Sequence, residues 1–291
     1  MAKMTSDSCG KALLAVWILA ASALFAGAAL IGTDREKDSA RQILSRELEP
    51  GQAVIWYLYH SGWAVKTKNH MLIFDYTEPA ARPGRRSLDS GSIEPSEIAD
   101  QNVTVFVSHG HPDHFDPLIL EWRAGVKKIR NVWGWEDGGL PTDLRFGSER
   151  QAVRVDGLEI LNVHHQFDGI PESAFLVRVD GLTILHAGDH GHSKGMENPV
   201  FKDNIRYLAG QSHRLDIMFT PTFGGEIEAL RSLNPRAVFP MHDGGREHQY
   251  LKFAEKFKAL GLEVSVGAAD KMGARFTYSG GILSSYPGKT P

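Results

Sequence analysis

The segment 102–114 places a cluster of polar residues directly after an apolar run. Its first six residues, NVTVFV, are mostly β-branched or aromatic and predict a buried strand. Positions 109–114 then hold three histidines and one aspartate, and Gly110 and Pro112 prevent the strand from continuing. Imidazole and carboxylate groups are metal ligands, so the sequence predicts a cation-binding loop at the end of a strand.

Three further polar clusters each follow an apolar run. His164-His165 follows LEILNV, GDHGH at 188–192 follows LTILHA, and MHDGG at 241–245 follows AVFP. Strand ends at one edge of a sheet bring distant residues together, so we expect these clusters to form one site. A solvated, histidine-rich loop is the alternative for any single cluster, but it explains four of them poorly.

The N-terminus contains an apolar stretch, residues 12–32, without a charged residue. It is long enough to cross a bilayer as a helix. Lys3 and Lys11 precede it, which favours a cytoplasmic N-terminus and an extracytoplasmic or exported remainder. Residues 1–32 are therefore interpreted as a membrane anchor, or as a signal peptide in view of the small residues at 26–28.

The rest of the chain predicts one domain. Residues 33–50 are charged and indicate a short helical linker, and residues 51–285 form the domain, with a loose tail from Ser279. Early strands followed by alternating strands and helices indicate two sheets flanked by helices. Asp180-Gly181, between FLVRV and LTILH, predicts a two-residue hairpin.

Composition excludes several classes of function. The net charge of -3 and the lack of a long basic run argue against nucleic acid as a partner. The single cysteine, Cys9, precedes the predicted domain, so metal ligands there must be His, Asp or Glu, which favours zinc, manganese or iron. No GxSxG sequence occurs, and we expect the nucleophile to be water rather than a side chain.

HGHPDH at 109–114 resembles the His-x-His-x-Asp-His motif of the metallo-β-lactamase superfamily. HAGDH at 186–190 and PMHDGG at 240–245 follow in the order typical of that family. With His60-Ser61-Gly62, the pattern most resembles the branch that contains L-ascorbate-6-phosphate lactonase and related metal-dependent hydrolases. The resemblance covers roughly residues 51–270. It implies an α+β fold, the four-layer αββα sandwich, preceded here by one N-terminal apolar helix.

The resemblance also implies a centre with two divalent cations, zinc or alternatively manganese or iron. The implied ligands are His109, His111 and a third histidine for one ion, Asp113, His114 and His242 for the other, and Asp189 as the bridge. The third histidine is His164 or His165, because neighbours in a strand point to opposite faces, and we expect His165. His60 and His186 are expected to pack or hydrogen-bond near the site rather than to bind an ion.

The implied activity is hydrolysis by a hydroxide held between the two ions, which attacks a carbonyl or phosphorus centre. Asp113 and Asp189 are the carboxylates expected to be essential for catalysis. The implied substrates are lactones or phosphodiesters, either small molecules or lipid derivatives. Two alternatives stay open: a phosphodiesterase of N-acyl phospholipids at a membrane, and a metal-binding scaffold without turnover.

Overall fold

The computed structural model describes residues 39–81, 84–136, 139–147, 149–167, 169–191, 194–262 and 264–285. The predicted anchor or signal peptide, residues 1–32, and the first part of the predicted linker lie outside these ranges. Among the described residues, no helix combines the length and the apolar composition needed to cross a membrane. The interpretation of the N-terminus therefore stays a prediction.

The first of two mixed sheets contains eight strands. They are β1 Gln52–Tyr57, β2 Trp63–Lys66, β3 Met71–Phe74, β4 Asn102–Val107, β5 Lys128–Trp133, β6 Leu144–Arg145, β14 Arg275–Ser279 and β15 Ile282–Ser285. Their order is β15-β14-β1-β2-β3-β4-β5-β6. Strands β3, β4 and β5 run parallel, and β1 pairs in antiparallel with β2 and β14. The four-residue strand β15 pairs with β14, so the loose tail expected from Ser279 is wrong for residues 282–285.

The second sheet contains seven strands. They are β7 Ala152–Val155, β8 Leu158–Phe167, β9 Ile170–Val179, β10 Leu182–His186, β11 Ile217–Pro221, β12 Ala237–Met241 and β13 Ser265–Val266. Their order is β13-β12-β11-β10-β9-β8-β7. Strands β10, β11 and β12 are parallel, whereas β7 to β10 form an antiparallel meander. Asp180 and Gly181 connect β9 to β10 with φ angles of 48° and 81°, the type I′ geometry that confirms the predicted hairpin.

Helices cover the outer faces of both sheets. The described residues form α1 Ala40–Leu44, α2 Leu118–Glu121, α3 Pro199–Gln211, α4 Glu226–Leu233 and α5 His248–Ala259, with 3-10 turns at Leu88–Ser90, Trp122–Ala124 and Gly195–Glu197. Helix α1 lies in the segment that the sequence predicted as a linker. Its apolar side chains, among them Ile43 and Leu44, are buried against the outer face of the first sheet.

The alternation of side chains along the strands sets the layers. Ile55 and Tyr57 of β1 point into the space between the sheets, and Val54 and Trp56 point to the outer face. The inner faces of both sheets share one buried cluster. Helices α1 and α2 complete a second cluster on the first sheet, and α3, α4 and α5 complete a third on the second sheet. The order helix, sheet, sheet, helix confirms the predicted αββα sandwich.

Candidate metal centre

The carboxyl ends of parallel strands from both sheets carry three of the four polar clusters. Asp75 and His109 follow β3 and β4 of the first sheet, and Asp189 and His242 follow β10 and β12 of the second. Parallel neighbours end at the same edge of a sheet, which is where such sheets bind ligands. The prediction that His164 and His165 also follow a strand is wrong: both lie inside antiparallel strand β8, because its pairing with β9 continues to Phe167.

The loop after β4 turns His109 and His111 to the same side. His109 Nε2 lies 2.9 Å from His111 Nδ1. A tight turn follows, in which the His114 backbone N–H donates to the His111 carbonyl at 3.0 Å. Ligand atoms of His109, His111 and Asp189 all lie within 4.8 Å of one another, and these three residues are called the first group.

Asp113, His114 and His242 form the second group, and His60 joins them. The side chain of His114 is fully buried, whereas that of Asp113 is 50% exposed and that of His242 is 27% exposed. The centre therefore opens to solvent on the side of Asp113 and His242. The ring of Phe223 stands edge-on at 5.0 Å from the His242 ring and borders this opening.

Asp189 lies between the two groups. Its Oδ1 atom is 3.2 Å from His114 Nε2 and 3.3 Å from His242 Nε2. Its Oδ2 atom is 3.8 Å from His109 Nε2. One carboxylate therefore faces both sets of ligands, which is the position that a bridging ligand must occupy.

The donor atoms fit divalent cations. Two buried atoms, His114 Nε2 and Asp189 Oδ1, lie 3.2 Å apart but make no hydrogen bond of good geometry to each other or to any other described residue. Buried polar atoms without a hydrogen bond are rare, so this pair indicates a missing partner between them. Imidazole nitrogens and carboxylate oxygens without a thiolate are the donors that zinc, manganese and iron accept.

The environment shifts the pKa values of the ligands in different directions. Burial raises the pKa of Asp189, but contacts with His114 and His242 outweigh burial and hold it below its ordinary value. Burial lowers the pKa of His109 to about 4, so this ring is neutral and keeps a lone pair at pH 7. Burial also acts to lower the pKa of His114, but Asp75 and Asp189 raise it well above the ordinary value. A cation at the second group must therefore displace a proton from His114.

Asp75 supports His114 from inside the fold, and the sequence analysis missed it. Its Oδ2 atom lies 2.7 Å from His114 Nδ1, and the Ser108 backbone N–H and hydroxyl each donate to its carboxylate at 2.7 Å. By holding the Nδ1 proton of His114, Asp75 leaves Nε2 free to face the centre. The sequence signal was a single acid at the end of the apolar run MLIFD.

His60 hydrogen-bonds beside the second group, as expected from the sequence. The Gly244 backbone N–H donates to its Nδ1 at 2.9 Å, so a neutral ring carries its proton on Nε2. That Nε2 lies 3.2 Å from Asp113 Oδ2, and this contact is the main cause that holds the pKa of Asp113 below its ordinary value. Hydroxyls of Tyr57 and Tyr250 hold the His60 backbone at φ 53°, a left-handed conformation uncommon outside glycine.

The two histidines proposed as the third ligand lie in different places. His165 is buried, and its Nδ1 lies 3.0 Å from Glu172 Oε1. It belongs to a third group with Glu172 and His190, whose ligand atoms also lie within 4.8 Å of one another. His164 is half-buried. Within the described residues, neither histidine joins the first group.

The remaining histidines near the centre have other surroundings. His186 stacks on Phe74 with ring centroids 4.9 Å apart, and its Nε2 lies 3.2 Å from the Ser61 carbonyl oxygen. This placement agrees with the packing role expected from the sequence. His190, next to Asp189, is buried on the side of α3, and His192 lies outside the described residues.

Comparison with known proteins identifies the class and then the family. The two mixed sheets and their helices form the metallo-β-lactamase fold, as solved structures of similar architecture show. Residues 54–242, more than half of the chain, match the family described as Beta-lactamase superfamily domain. The chain belongs to this superfamily, as the resemblance of its motifs predicted. The match does not specify the lactonase-like branch.

Two relatives and two structures illustrate the similarity. A UPF0173 metal-dependent hydrolase of Heliobacterium modesticaldum is 32% identical over 159 residues, 47% of this chain and 64% of the relative, which is less than two thirds of its length. One from Opitutus terrae is 28% identical over 208 residues, 64% and 82% of the two chains.

Igni18, a metallo hydrolase of Ignicoccus hospitalis, has a TM-score of 0.56 at 18% identity and covers 78% of this chain and 99% of its own. CmlA, a diiron β-hydroxylase of Streptomyces venezuelae, has a TM-score of 0.59 at 13% identity, with 80% and 55% covered. These identities are low, so the two structures show the shared fold and nothing further.

Proposed function

We propose that this chain is a metal-dependent hydrolase whose centre takes two divalent cations, zinc or alternatively manganese or iron. The observation that carries the proposal is the position of Asp189, whose two carboxylate oxygens face histidines of both ligand groups. The name metal-dependent hydrolase, given to the relatives from Heliobacterium and Opitutus, supports the same class.

Two bound cations would supply Lewis acidity and a water whose pKa is lowered to about 7, so hydrolysis needs no nucleophilic side chain. The residues of the chain would hold the two ions and orient the side chains that bind them. His109 and His111 serve one ion, Asp113, His114 and His242 serve the other, and Asp189 is shared. Asp75 fixes the ring of His114, and His60 restrains the carboxylate of Asp113.

The exposed ligands define the side from which a substrate approaches. Asp113 and His242 are the partly exposed members of the second group, and Phe223 borders the same opening. We propose lactones or phosphodiesters as substrates, with the reacting carbonyl or phosphoryl group near Asp113 and His242 and an apolar portion against Phe223. Small molecules and lipid derivatives, including N-acyl phospholipids, both meet this description.

The test combines metal loading with turnover by the full chain. The chain is stripped with a chelator, reloaded with zinc or manganese, and assayed on a panel of lactones and phosphodiesters. Asp189→Ala should lower kcat/KM at least about 100-fold, since it removes the shared ligand. His213→Ala, an exposed histidine, is the matched control and should leave it unchanged.

Full activity of the stripped chain, or of Asp189→Ala, would refute the proposal. Tight metal binding without hydrolysis of any ester or diester would favour the non-catalytic scaffold.

A further inference from the structure

A third group of metal-ligand residues lies beside the hydrolytic centre, on the face of the second sheet that α3 covers. His165 and Glu172 are directly opposite each other on β8 and β9, and His190 follows β10. Their exposed fractions are 3%, 1% and 4%, respectively. The ring of His190 lies 4.9 Å from that of His165 and 5.3 Å from that of Phe201 on α3.

The polar atoms of this group are poorly satisfied. The contact between His165 Nδ1 and Glu172 Oε1, at 3.0 Å, is the one hydrogen bond that joins these three side chains. Both ring nitrogens of His190 and the Oε2 atom of Glu172 are buried without a hydrogen-bond partner among the described residues. A neutral imidazole has one N–H and one lone pair, so both sides of the His190 ring are left unmatched. Buried groups of this kind are normally paired.

The donor atoms of this group suit a divalent cation, since one ligand atom from each of the three residues lies within 4.8 Å of the others. Glu172 is the sole carboxylate of the group, and the ring of His165 is its hydrogen-bonded neighbour. Two imidazoles and one carboxylate form the same donor set that holds zinc in several metalloenzymes.

We propose that His165, Glu172 and His190 hold a third divalent cation, zinc by preference, distinct from the two ions of the hydrolytic centre. The site does not depend on the proposed hydrolysis, because none of its three residues belongs to the first or second group. It takes no substrate, since all three side chains are buried beneath α3.

The position of the third site suggests a structural role for its cation. His190 is the neighbour of Asp189, the shared ligand, and Glu172 Oε2 lies 3.5 Å from His109 Nδ1. A cation bound to His190 and to the β8–β9 strand pair would fix the loop that carries Asp189. Through Glu172 it would also limit rotation of the His109 ring.

The test is the metal content of the full chain after chelation and reloading with zinc alone. The unaltered chain should retain about three zinc ions after exhaustive buffer exchange, and Glu172→Gln and His190→Ala about two. Glu172→Gln keeps the shape of the side chain and removes its charge, so it tests ligation with little risk to folding. His213→Ala, at an exposed histidine, should match the unaltered chain. Circular dichroism of each variant checks that the fold is kept.

Three outcomes overturn the proposal, and the first two differ from failure of the hydrolytic centre. About two ions in the unaltered chain and in both variants would mean that the group holds water or nothing. Loss of an ion in His165→Ala, but not in Glu172→Gln or His190→Ala, would assign His165 to the first group. Loss of all zinc from the unaltered chain would refute both the third site and the two-ion centre.

Discussion

The Nε2 atom of His60 lies 3.2 Å from the Oδ2 atom of Asp113, and the opposite side of the same ring accepts a hydrogen bond from Gly244. The backbone contact fixes the tautomer, so the ring presents an N–H to Asp113 and not a lone pair. His60 therefore acts on the second ion through Asp113. Asp113 is half-exposed and needs such a contact to keep one orientation.

Replacement of His60 should weaken the second ion selectively. Asparagine tolerates the positive φ of this position, so His60→Asn removes the ring and leaves the backbone unstrained. We expect the affinity for the second ion to fall by about 10–100-fold, the usual cost of losing a group that orients a ligand. Competition with a fluorescent zinc chelator measures the stepwise constants. Equal constants for His60→Asn and the exposed control His213→Asn would contradict this role.

Asp75→Asn should reduce both stability and metal affinity. An asparagine keeps one acceptor oxygen but meets the three donor contacts of Asp75 less well. We expect a loss of about 1–3 kcal/mol in the free energy of unfolding, measured in urea with chelator present.

Burial alone would raise the pKa of Asp75, but His186 and His114 lower it below its ordinary value. Its contribution is therefore present above the ordinary aspartate pKa and is lost as the pH falls.

The surface variant Asp100→Asn is the matched control for Asp75→Asn. Asp100 pairs with Lys127 in an exposed salt bridge, and substitutions at such surface positions leave stability almost unchanged. The difference between the two variants should shrink at acid pH. The change should appear only below the ordinary aspartate pKa of about 4, so a difference that stays constant from about pH 5 to about pH 2 would show that the charge of Asp75 does not contribute.

The sequence predicted the long buried strands better than the smaller ones. The buried runs at 102–107 and 182–186 were predicted with the bounds that the structure shows, because their apolar residues are continuous. Strand β2 (WAVK) ends in a lysine and β11 (IMFTP) ends in a threonine and a proline, so neither is a continuous apolar run. Both were missed, because their pairing with neighbouring strands, rather than local composition, makes them strands.

Contacts between distant residues limit what the sequence can predict about the centre. Asp75 and His114 are 39 positions apart and meet because β3 and β4 are parallel neighbours. Glu172 sits opposite His165 through the register of β8 and β9. Neither acid lies in a motif, so the sequence shows two isolated carboxylates, and only the folded sheets show which histidines they contact.

The two ions should differ in how their affinity depends on pH. Asp75 and Asp189 hold the pKa of His114 above its ordinary value, so the second ion must displace a proton. Its affinity should rise by about tenfold per pH unit where one proton is released. Burial lowers the pKa of His109 to about 4, so this ring is already neutral between pH 6 and pH 8. Chelator competition at pH 6, 7 and 8 measures both constants, and parallel slopes for the two ions would contradict the assignment.

Gly188 sets the path of the chain that delivers Asp189, and a methyl group there should disturb both ions. Its φ of 56° favours glycine, and a Cβ atom would come within 2.7 Å of the Ser108 Cβ atom, beside the hydroxyl that donates to Asp75. Gly188→Ala should therefore destabilise the chain by about 1–3 kcal/mol through crowding and weaken both ions, since they share Asp189. Gly210→Ala is the matched control: its Cβ would meet nothing within 4 Å on helix α3, and it should be neutral or stabilise by about 0.5–1 kcal/mol. Urea unfolding with chelator and zinc competition separate the two effects; loss of only one ion in Gly188→Ala would show that Asp189 is not shared.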